Sequence, residues 1–279
     1  MTTSAVLFLI LLGVLLLYGV LNWRSKRHID ISRYVLHSGK VTSPVRIALV
    51  SDLHSCLYGE NQSRLMAALD EAAPQVVALC GDFVNLHGSD RNSMTFLRQA
   101  AQKYPCCFCT GNHEFTKRYT TAFKASLRSM GIVVPEGDCY YTFVGDQRLL
   151  FCGVDDESCG KGIFLSQMAK AARGLEPDLF SVILLHRPNR AADVLSLGFD
   201  LMLSGHAHGG QWRIPGTGRG VFAPNQGLLP KYVDGLYDFS GHTLAVSRGL
   251  SKKPRWAARF FNPPEITVID ILPEEQKSI

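Results

Sequence analysis

The stretch "VRIALVSDLHSCLYGENQSRLMAALDEAAPQVVALCGD", residues 45–82, decides the fold class of this chain. It opens with the apolar run "VRIALV", continues through "NQSRLMAALDEAA" with helical spacing, and closes with a second apolar run, "QVVALC". A buried strand, a helix and another buried strand predict a βαβ unit within a parallel sheet. After each apolar run come one small residue and then an aspartate, which is Asp52 in the first case and Asp82 in the second.

The same alternation continues towards the C-terminus. Helical spacing recurs in "SMTFLRQAAQKY", near residues 119–130 and 164–173, and over the short stretch "NRAADVLSL". Further strands are predicted for "CCFCT", "FSVILLH", "FDLMLSGH", "HTLAVS" and "EITVIDI". The stretch "CYYTFVGDQRLLFCGV" is typical of a hairpin that turns at Gly145 and Asp146. Together these elements predict an α/β fold, a layered β-sandwich flanked by helices.

The N-terminal segment differs from the rest of the chain. Residues 5–21, "AVLFLILLGVLLLYGVL", carry no charge and approach the length of about 20 apolar residues that a spanning helix needs. A secretory signal peptide is the alternative, but no basic residue precedes the run and the cleavage site is poor. We therefore expect one N-terminal transmembrane helix in residues 1–23, a basic juxtamembrane connector in 24–44 with an edge strand at "RYVLHS", and a catalytic domain in 45–279.

The distribution of basic residues predicts which side of the membrane the body occupies. Arg24, Lys26 and Arg27 follow the apolar run, whereas no Lys or Arg precedes it. The positive-inside rule then keeps the C-terminal body on the cytoplasmic side of the cell membrane. Trp23 is expected at the membrane interface.

The eight cysteines and the mild net charge bear on the cellular compartment and on the kinds of partner that this protein binds. Several cysteines lie inside apolar runs, so they are predicted to be small buried hydrophobes, unpaired as in a reducing compartment. The C-C-x-C spacing at 106–109 is not that of a zinc clip. The formal net charge of +5 does not indicate a nucleic-acid partner, and the oligomeric state stays open.

Polar side chains capable of binding metal follow five of the predicted strands. In open α/β sheets, ligands gather at the carboxyl ends of strands. The five ends are "SDLH", "CGDF", "TGNHE", "LLHRP" and "SGHAH", which carry Asp52, His54, Asp82, Asn112, His113, His186, His206 and His208. A cap, a turn or a satisfied core histidine explains any one of them, but not five successive ends. Imidazole and carboxylate together suit borderline divalent metals such as Mn, Zn or Fe, and one carboxylate can bridge two ions.

The ordered set D-x-H, G-D, G-N-H-E, H and G-H-x-H resembles the calcineurin-like metallophosphoesterase superfamily. The resemblance covers Val45 to Ile271, nearly the whole body. "SGHAHGGQ" and the terminal "RFFNPPEI" are most similar to the membrane-associated branch, which includes bacterial phosphodiesterases and UDP-diacylglucosamine pyrophosphatases. The resemblance implies a metal-dependent phosphoester hydrolase acting on a phosphodiester or pyrophosphate.

The resemblance also implies a role for each residue of the set. Asp52, His54 and His208 would hold the first metal, Asn112, His186 and His206 would hold the second, and Asp82 would bridge both. The family mechanism places a hydroxide between the two metals, in line with the scissile P–O bond. His113 would lie beyond the metals and protonate the leaving oxygen or stabilise the developing charge.

One position departs from the family pattern. Many relatives continue the second motif as G-D-x-x-D, and the last aspartate orients the catalytic histidine. This chain has "GDFVN", so Asn85 would support His113 through an amide that carries no charge. The role of Glu114, supporting the site or facing solvent, stays open at this point.

The anchor and the branch together imply a lipid-linked or nucleotide-sugar-lipid substrate, and two other functions stay open. One is a broad phosphodiesterase of soluble molecules, with the anchor used only for placement. The other is an inactive metal-binding membrane scaffold, which the intact ligand set disfavours. The stretch "APNQGLLPKY", residues 223–232, is expected to line a face of the site, and "RGLSKKPRWAARFF", residues 248–261, to bind a phosphate, touch the bilayer or form a solvated loop.

Overall fold

The computed structural model describes residues 3–25, 28–116, 119–252 and 259–274. In these residues the chain forms seven α-helices and thirteen β-strands. The helices are α1 (Thr3–Ser25), α2 (Ser63–Ala72), α3 (Arg91–Lys103), α4 (Asn112–Thr116), α5 (Thr120–Ser129), α6 (Lys161–Arg173) and α7 (Ala191–Leu195). The strands are β1 (Asp30–Ser38), β2 (Val45–Val50), β3 (Val76–Cys80), β4 (Cys106–Cys109), β5 (Cys139–Val144), β6 (Gln147–Gly153), β7 (Phe180–Leu184), β8 (Leu201–Ser204), β9 (Phe222–Ala223), β10 (Gly227–Leu228), β11 (Gly235–Phe239), β12 (His242–Val246) and β13 (Glu265–Pro273).

The strands form two large sheets and one small hairpin. The first sheet has the order β1-β13-β2-β3-β4, and the second has the order β11-β12-β8-β7-β6-β5. The pairs β2-β3 and β3-β4 are parallel, as the βαβ pattern predicts, and so are the pairs within β12-β8-β7-β6. Antiparallel pairs join β13 to β2 and place β11 and β5 at the two edges of the second sheet. Both sheets are therefore mixed, and the second has a parallel centre.

The core is layered, as the sequence predicts. Successive side chains of a strand point to opposite faces. In β2, Ile47 and Leu49 pack between the two sheets against residues such as Leu184, whereas Ala48 and Val50 pack on the outer face under α2 and α3. A third cluster covers the outer face of the second sheet with side chains from α6 and α7. Because both sheets are covered on both faces, their central strands are continuous apolar runs.

The segment before the body is part of the first sheet. An edge strand was expected at "RYVLHS", and β1 confirms it at greater length, running parallel to β13 from the pair Asp30–Glu265 to the pair Ser38–Pro273. The sequence predicts only the later part of β1, where apolar residues alternate. Its full length depends on pairing with β13, which lies more than 200 residues away.

The apolar N-terminal run forms α1, whose side chains are mostly exposed. By length and composition, Thr3–Trp23 is one candidate membrane span, and a signal sequence passes the same test. Lys26 and Arg27, on which the expected orientation depends, lie outside the described residues. The ring of Tyr18 in α1 lies 6.0 Å from the ring of Phe260, between centroids.

The expectation of unpaired cysteines is wrong for one pair. Cys139 and Cys152 form a disulfide across the hairpin of β5 and β6, whose turn at 145–146 is confirmed. The two residues are direct partners in the antiparallel register, with Cα atoms 4.1 Å apart, which brings their side chains together. The cysteines of "CCFC" are free and buried, as expected. Burial raises the pKa of the Cys106 thiol to about 12.

Candidate metal centre

The metal-binding candidates meet where strands of both sheets end. Asp52 follows β2, Asp82 follows β3 and His113 follows β4, all from the first sheet. His186 follows β7 of the second sheet. His206 and His208 follow β8, next to β7. The carboxyl ends of parallel strands thus bring residues far apart in sequence to one edge of the sandwich, as the sequence predicts.

The backbone around the candidates is unusual. Five of the candidates adopt positive φ: Asp52 (53°), His54 (45°), Asp82 (55°), His206 (64°) and His208 (48°). This left-handed region is uncommon for residues other than glycine and costs on the order of 1–3 kcal/mol each. Hydrogen bonds hold the strained turns to each other, with the Asp52 N–H donating to Gly81 O (3.0 Å) and the His54 N–H donating to Asp82 O (3.0 Å). Such strain is concentrated at functional sites.

Two glycines let the loops approach the carboxylates closely. A Cβ added at Gly205 would lie 2.4 Å from Oδ2 of Asp52, and one added at Gly111 would lie 2.2 Å from Oδ1 of Asp82. Both distances are far inside van der Waals contact, so any other residue would push the loops apart. These glycines are those of "SGH" and "TGN" in the motifs.

The first cluster contains Asp52, His54 and His208. Nε2 of His208 lies 3.7 Å from Oδ1 of Asp52, and Nε2 of His54 lies 4.0 Å from the same oxygen. Two ligand atoms each about 2.1 Å from one ion, at a tetrahedral angle, are roughly 3.4 Å apart. The separations in this cluster are therefore close to those of ligands that share one ion.

The second cluster contains Asp82, His186 and His206. Nε2 of His186 lies 3.4 Å from Oδ2 of Asp82 and 3.2 Å from Nδ1 of His206. The same Oδ2 atom lies 3.7 Å from Nε2 of His54 in the first cluster. Asp82 therefore faces both clusters.

Asn112 supplies an independent sign that a ligand belongs here. Its side-chain oxygen is buried and has no hydrogen-bond partner among the described residues. The next residue, His113, donates its backbone N–H to Oδ1 of Asp82 (2.8 Å). A buried acceptor left without a donor costs about 1–3 kcal/mol, and a cation would satisfy it. The donor set and its spacing therefore fit divalent metal ions.

Hydrogen bonds at the far ring nitrogens fix which nitrogen of each imidazole faces the cluster. His186 donates Nδ1–H to the carbonyl of Cys80 (2.8 Å), which leaves Nε2 towards Asp82. His206 donates Nε2–H to Oδ1 of Asn225 (2.7 Å), which leaves Nδ1 towards His186. Partners of this kind orient metal-binding histidines and tune their basicity.

Asn225 itself belongs to a longer network. Arg187 donates to Oδ1 of Asn225 (3.1 Å) and makes a two-pronged ion pair with Asp156 (2.6 and 2.7 Å). The sequence predicts that the stretch 223–232 lines a face of the site; within it Asn225 contacts a metal-binding histidine, whereas Leu228 and Leu229 are exposed. Arg187 follows His186 directly, but no local pattern marked Asn225 or Asp156.

The electrostatics favour a neutral imidazole at His54 and His206 and a charged carboxylate at Asp82. At His186, by contrast, Asp82 outweighs the effect of burial and raises the pKa of the imidazole well above its usual value. Burial is the largest cause that lowers the pKa of His54 to about 3 and that of His206 to about 4, so both imidazoles are neutral near pH 7. Burial alone would raise the pKa of Asp82, but His186 holds it well below its usual range. Neutral imidazole and ionised carboxylate are the forms that bind metals.

Glu114, whose role the sequence left open, supports the site from behind. Its carboxylate is buried and accepts backbone N–H bonds from Asp82 (2.9 Å), Phe83 (2.9 Å), Val84 (3.1 Å) and Gly111 (2.7 Å). Burial raises its pKa to about 7. Glu114 thereby ties the loop after β3 to the loop after β4 and holds Asp82 in place.

His113 lies at the rim of the centre. Its Nε2 is 3.9 Å from Oδ2 of Asp82, and its ring packs edge-on against His54 with centroids 4.3 Å apart. Its Nδ1 is buried without a hydrogen-bond partner in the described part of the chain. Asn85, expected to support it, instead donates its amide to the carbonyl of His87 (2.8 Å). The expected hydrogen bond between the side chains of Asn85 and His113 is therefore not formed.

A sandwich of two mixed sheets, with carboxylates and imidazoles converging at the strand ends, is the architecture of a metal-dependent phosphoesterase. Residues 45–210, more than half of the chain, match the family model of the calcineurin-like phosphoesterases. The chain belongs to this family and is a metal-dependent phosphoester hydrolase.

Curated relatives agree in family, and two bacterial ones are also similar in length. The metallophosphoesterase YkuE of Bacillus subtilis is 24% identical over 91% of this chain and 89% of its own length. Phosphodiesterase YaeI of Escherichia coli is 27% identical over 82% of this chain and 83% of its own length. A transmembrane protein with a metallophosphoesterase domain from Bos taurus is 27% identical over 74% of this chain, which spans 48% of that protein.

Solved structures show the same fold. The phosphopantetheinyl hydrolase PptH of Mycobacterium tuberculosis superimposes with a TM-score of 0.51 at 12% identity, covering 86% of this chain and 100% of that chain. The protein TT1561 of Thermus thermophilus gives a TM-score of 0.51 at 13% identity, covering 75% of this chain and 91% of that chain. These similarities support the sandwich fold.

Proposed function

We propose that this protein is a membrane-anchored dimetal phosphoesterase that hydrolyses phosphodiester or pyrophosphate bonds. The observation that carries the proposal is the position of Asp82, whose Oδ2 lies within 4 Å of imidazole nitrogens in both clusters. A carboxylate between two sets of ligands is suited to hold two ions at once.

The geometry supports the following assignment of ligands. Asp52, His54 and His208 would hold one ion, Asn112, His186 and His206 would hold the other, and Asp82 would contribute to both. When bound, the two ions lower the pKa of a water molecule and neutralise charge on the phosphoryl group. Mn, Zn and Fe all accept this mixture of nitrogen and oxygen donors.

The remaining residues position these groups and transfer protons. His113 is at the rim, is 20% exposed at its side chain, and is assigned to protonate the leaving oxygen or stabilise its charge. Asn225 and the carbonyl of Cys80 hold His206 and His186 in the required orientation. Glu114 fixes the two loops that carry Asp82 and Asn112.

A lipid-linked or nucleotide-sugar-lipid substrate is proposed from two observations. The α1 helix is a candidate anchor, which would keep the active site close to a bilayer. One relative is named as a phosphodiesterase, and another is named as a transmembrane protein with a metallophosphoesterase domain. The N-terminal residues 1–23 would then be the anchor, and 45–279 the catalytic domain, whose first sheet also includes β1 from the connector 24–44.

A soluble phosphodiester is the second candidate substrate, with the anchor used only for placement. A cavity of about 470 Å³ adjoins the site directly after His54. Most of its lining is polar or glycine: Ser55, Cys56, Leu57, Asn85, His87, Gly88, Ser89, Asn92 and Lys252. Such a lining favours a hydrophilic leaving group over an acyl chain.

A substrate and metal screen tests the proposal. The full chain in detergent micelles, stripped of metal and reloaded with Mn²⁺, Zn²⁺ or Fe²⁺, is expected to hydrolyse bis(p-nitrophenyl) phosphate. A lipid-linked pyrophosphate and a soluble nucleotide diester, compared at equal concentration, separate the two substrate classes. Undiminished turnover by the metal-free protein would contradict the dimetal mechanism.

The cytoplasmic side is proposed from the one-sided basic residues alone, because the disulfide removes the argument from unpaired cysteines. Cys159 is partly exposed, unlike the other free cysteines, which are buried. A membrane-impermeant thiol reagent is expected to label Cys159 only after the cells are opened. Labelling in intact cells would place the body outside, where disulfides persist.

A further inference from the structure

Six large apolar side chains are exposed beside the metal centre. They are Trp212, Ile214, Phe222, Leu228, Leu229 and Phe261, with exposed fractions of 42%, 39%, 45%, 77%, 62% and 67%. We call these six residues the apolar patch. Exposed apolar side chains that lie together on a protein surface mark interaction sites.

Backbone hydrogen bonds join the segments that carry the patch. Arg213 donates its N–H to the carbonyl of Phe260 (3.1 Å), which joins the segment of Trp212 to that of Phe261. Val221 donates to the carbonyl of Trp212 (2.9 Å), and Leu229 donates to the carbonyl of Val221 (2.9 Å). The patch is therefore one small platform of hydrogen-bonded segments.

The platform is attached to the metal centre at two points. Its first segment, which carries Trp212, begins just after His208, and the N–H of Val221 donates to the carbonyl of Gly210 (3.0 Å). Asn225, in the turn between β9 and β10, accepts the hydrogen bond from His206 (2.7 Å). The segments that carry the patch are thus directly bonded to the loop that carries His206 and His208.

The platform is also basic. Residues 211–233 include Arg213, Arg219 and Lys231 but no Asp or Glu. Arg213 forms an ion pair with Asp234, while Arg219 and Lys231 are exposed. Apolar side chains surrounded by basic ones are the composition of surfaces that enter the boundary between headgroups and acyl chains of anionic bilayers.

The position of α1 indicates which surface the platform faces. Phe260, next to Phe261 of the patch, packs against Tyr18 of α1. Tyr18 shortly precedes Trp23, the residue expected at the membrane interface. The patch therefore lies at the end of the candidate span that would meet the body.

We propose that the apolar patch docks into the headgroup–acyl boundary of an anionic bilayer and holds the metal centre at the level of the lipid phosphates. The proposal rests on the proposed function, since α1 would cross the same bilayer. Substrates would then be phosphoesters in lipid headgroups, reached without leaving the membrane.

Accessibility of a spin label tests the docking directly. A nitroxide is attached to Leu228→Cys in full-length protein carrying Cys159→Ser, reconstituted into phosphatidylglycerol vesicles. The matched control is Ile163→Cys in α6, where Ile163 is 54% exposed and apolar. The label at 228 is expected to contact dissolved oxygen more, and an aqueous nickel reagent less, than the label at 163. Equal exposure to water at both positions overturns the proposal.

Kinetics give a second test. The double variant Leu228→Asp/Leu229→Asp is expected to lower kcat/KM for a phosphodiester in a vesicle lipid by about tenfold or more, since burial of each leucine is lost. Turnover of bis(p-nitrophenyl) phosphate is expected to stay at the wild-type value. Ile163→Asp/Leu165→Asp in α6, at residues 54% and 48% exposed, is the control and is expected to change neither rate.

The outcomes separate this proposal from the function on which it rests. If the wild type does not hydrolyse the soluble diester with metal, the proposed function fails, whatever the label shows. If it does, but both double variants act equally on the vesicle lipid, the docking proposal fails alone. Self-association in detergent that Leu228→Asp/Leu229→Asp abolishes would assign the patch to a second copy of the chain instead.

Discussion

Two neighbouring regions at one edge of the sandwich, the metal centre and the segment 211–233 that follows it, depart from the usual pattern of buried apolar and exposed polar side chains. At the centre, polar groups such as Asp52 and His186 are fully buried. In the following segment, apolar side chains such as Leu228 are 77% exposed. Burying polar groups and exposing apolar side chains both cost free energy, and neither is needed to form the fold. We infer that both regions are shaped by what they bind, ions in one case and a surface in the other.

The two regions also differ in how they are held. The centre combines left-handed backbone at Asp52 and Asp82 with hydrogen bonds from many directions, including the four that Glu114 accepts. The segment 211–233 is held largely by short backbone pairs in turns and in the hairpin of β9 and β10. The first arrangement fixes polar atoms around the centre, whereas the second presents apolar side chains such as Leu228 at the surface.

The largest effect is expected at the residue shared by both clusters. Asp82→Ala removes a ligand from each ion and is expected to lower kcat/KM by more than about 10³-fold, because metal stabilisation of the transition state is worth several kcal/mol. Metal content, measured by elemental analysis, is expected to fall in parallel.

A carboxylate outside the site serves as the matched control for Asp82. Asp178 is exposed and lies in the loop before β7, so Asp178→Ala is expected to retain both metal and activity. Full activity of Asp82→Ala, with normal metal content, would show that the buried polar centre is not the catalytic site.

The next effect is expected at His113, which lies at the rim and not among the ligands. His113→Ala is expected to lower turnover by about 10²–10⁴-fold while metal content stays near normal. The loss is expected to shrink for esters with good leaving groups, which need no proton, when rates are compared across a series of substituted phenyl esters.

The outcome of that series decides the role of His113. An equal loss across all leaving groups would leave charge stabilisation as its role and rule out the general acid. Loss of metal from His113→Ala would instead place the imidazole among the ligands, where His54, Asp82 and His113 also form a close group.

The sequence predicts the metal-binding residues far better than the residues and bonds that hold them in place. Asp52 and Asp82 could be placed because parallel strands end at one edge, a rule that needs only the order of the elements. Asn225 could not, since it contacts His206 across a Gly-rich segment whose path no local pattern predicts. The Cys139–Cys152 pair depends on the register of a hairpin, which is fixed only when its turn is known.

An intermediate effect is expected at Asn225, which tests whether the exposed segment also serves the buried centre. Asn225→Ala removes the acceptor for His206 and is expected to weaken metal binding about 10–100-fold, as partners of metal-binding histidines do. The measurement is a metal titration by competition with a chelator, together with kcat at saturating metal.

A neighbour in the same segment provides the control for Asn225. Gln226 holds the segment through two hydrogen bonds to Tyr232 (2.8 and 2.9 Å). Gln226→Ala is therefore expected to disturb the segment without weakening metal binding, and Asn225→Asp is expected to restore part of the affinity. Equal losses of metal affinity in Gln226→Ala and Asn225→Ala would show that Asn225 acts only by stabilising the segment and not by orienting His206.

The smallest effect is expected at Asn85, where family resemblance and structure disagree. If Asn85 oriented His113, an aspartate at this position would favour the protonated ring and raise the pKa of His113. The alkaline limb of the pH–rate profile would then move to higher pH. In the structure, however, the amide of Asn85 is bound to the carbonyl of His87, and its backbone N–H is bound to Asp90 (3.2 Å).

These contacts assign Asn85 to the turn after β3, so Asn85→Asp is expected to leave the alkaline limb in place. The measurement is kcat against pH at saturating Mn²⁺, with metal content determined at each pH because an added charge near the centre also acts on the ions. A shift of that limb to higher pH, at constant metal content, would show that Asn85 reaches His113 during catalysis. The loop after β3 would then have to move towards the centre when substrate binds, and the rigid character inferred for the buried site would not extend to its rim.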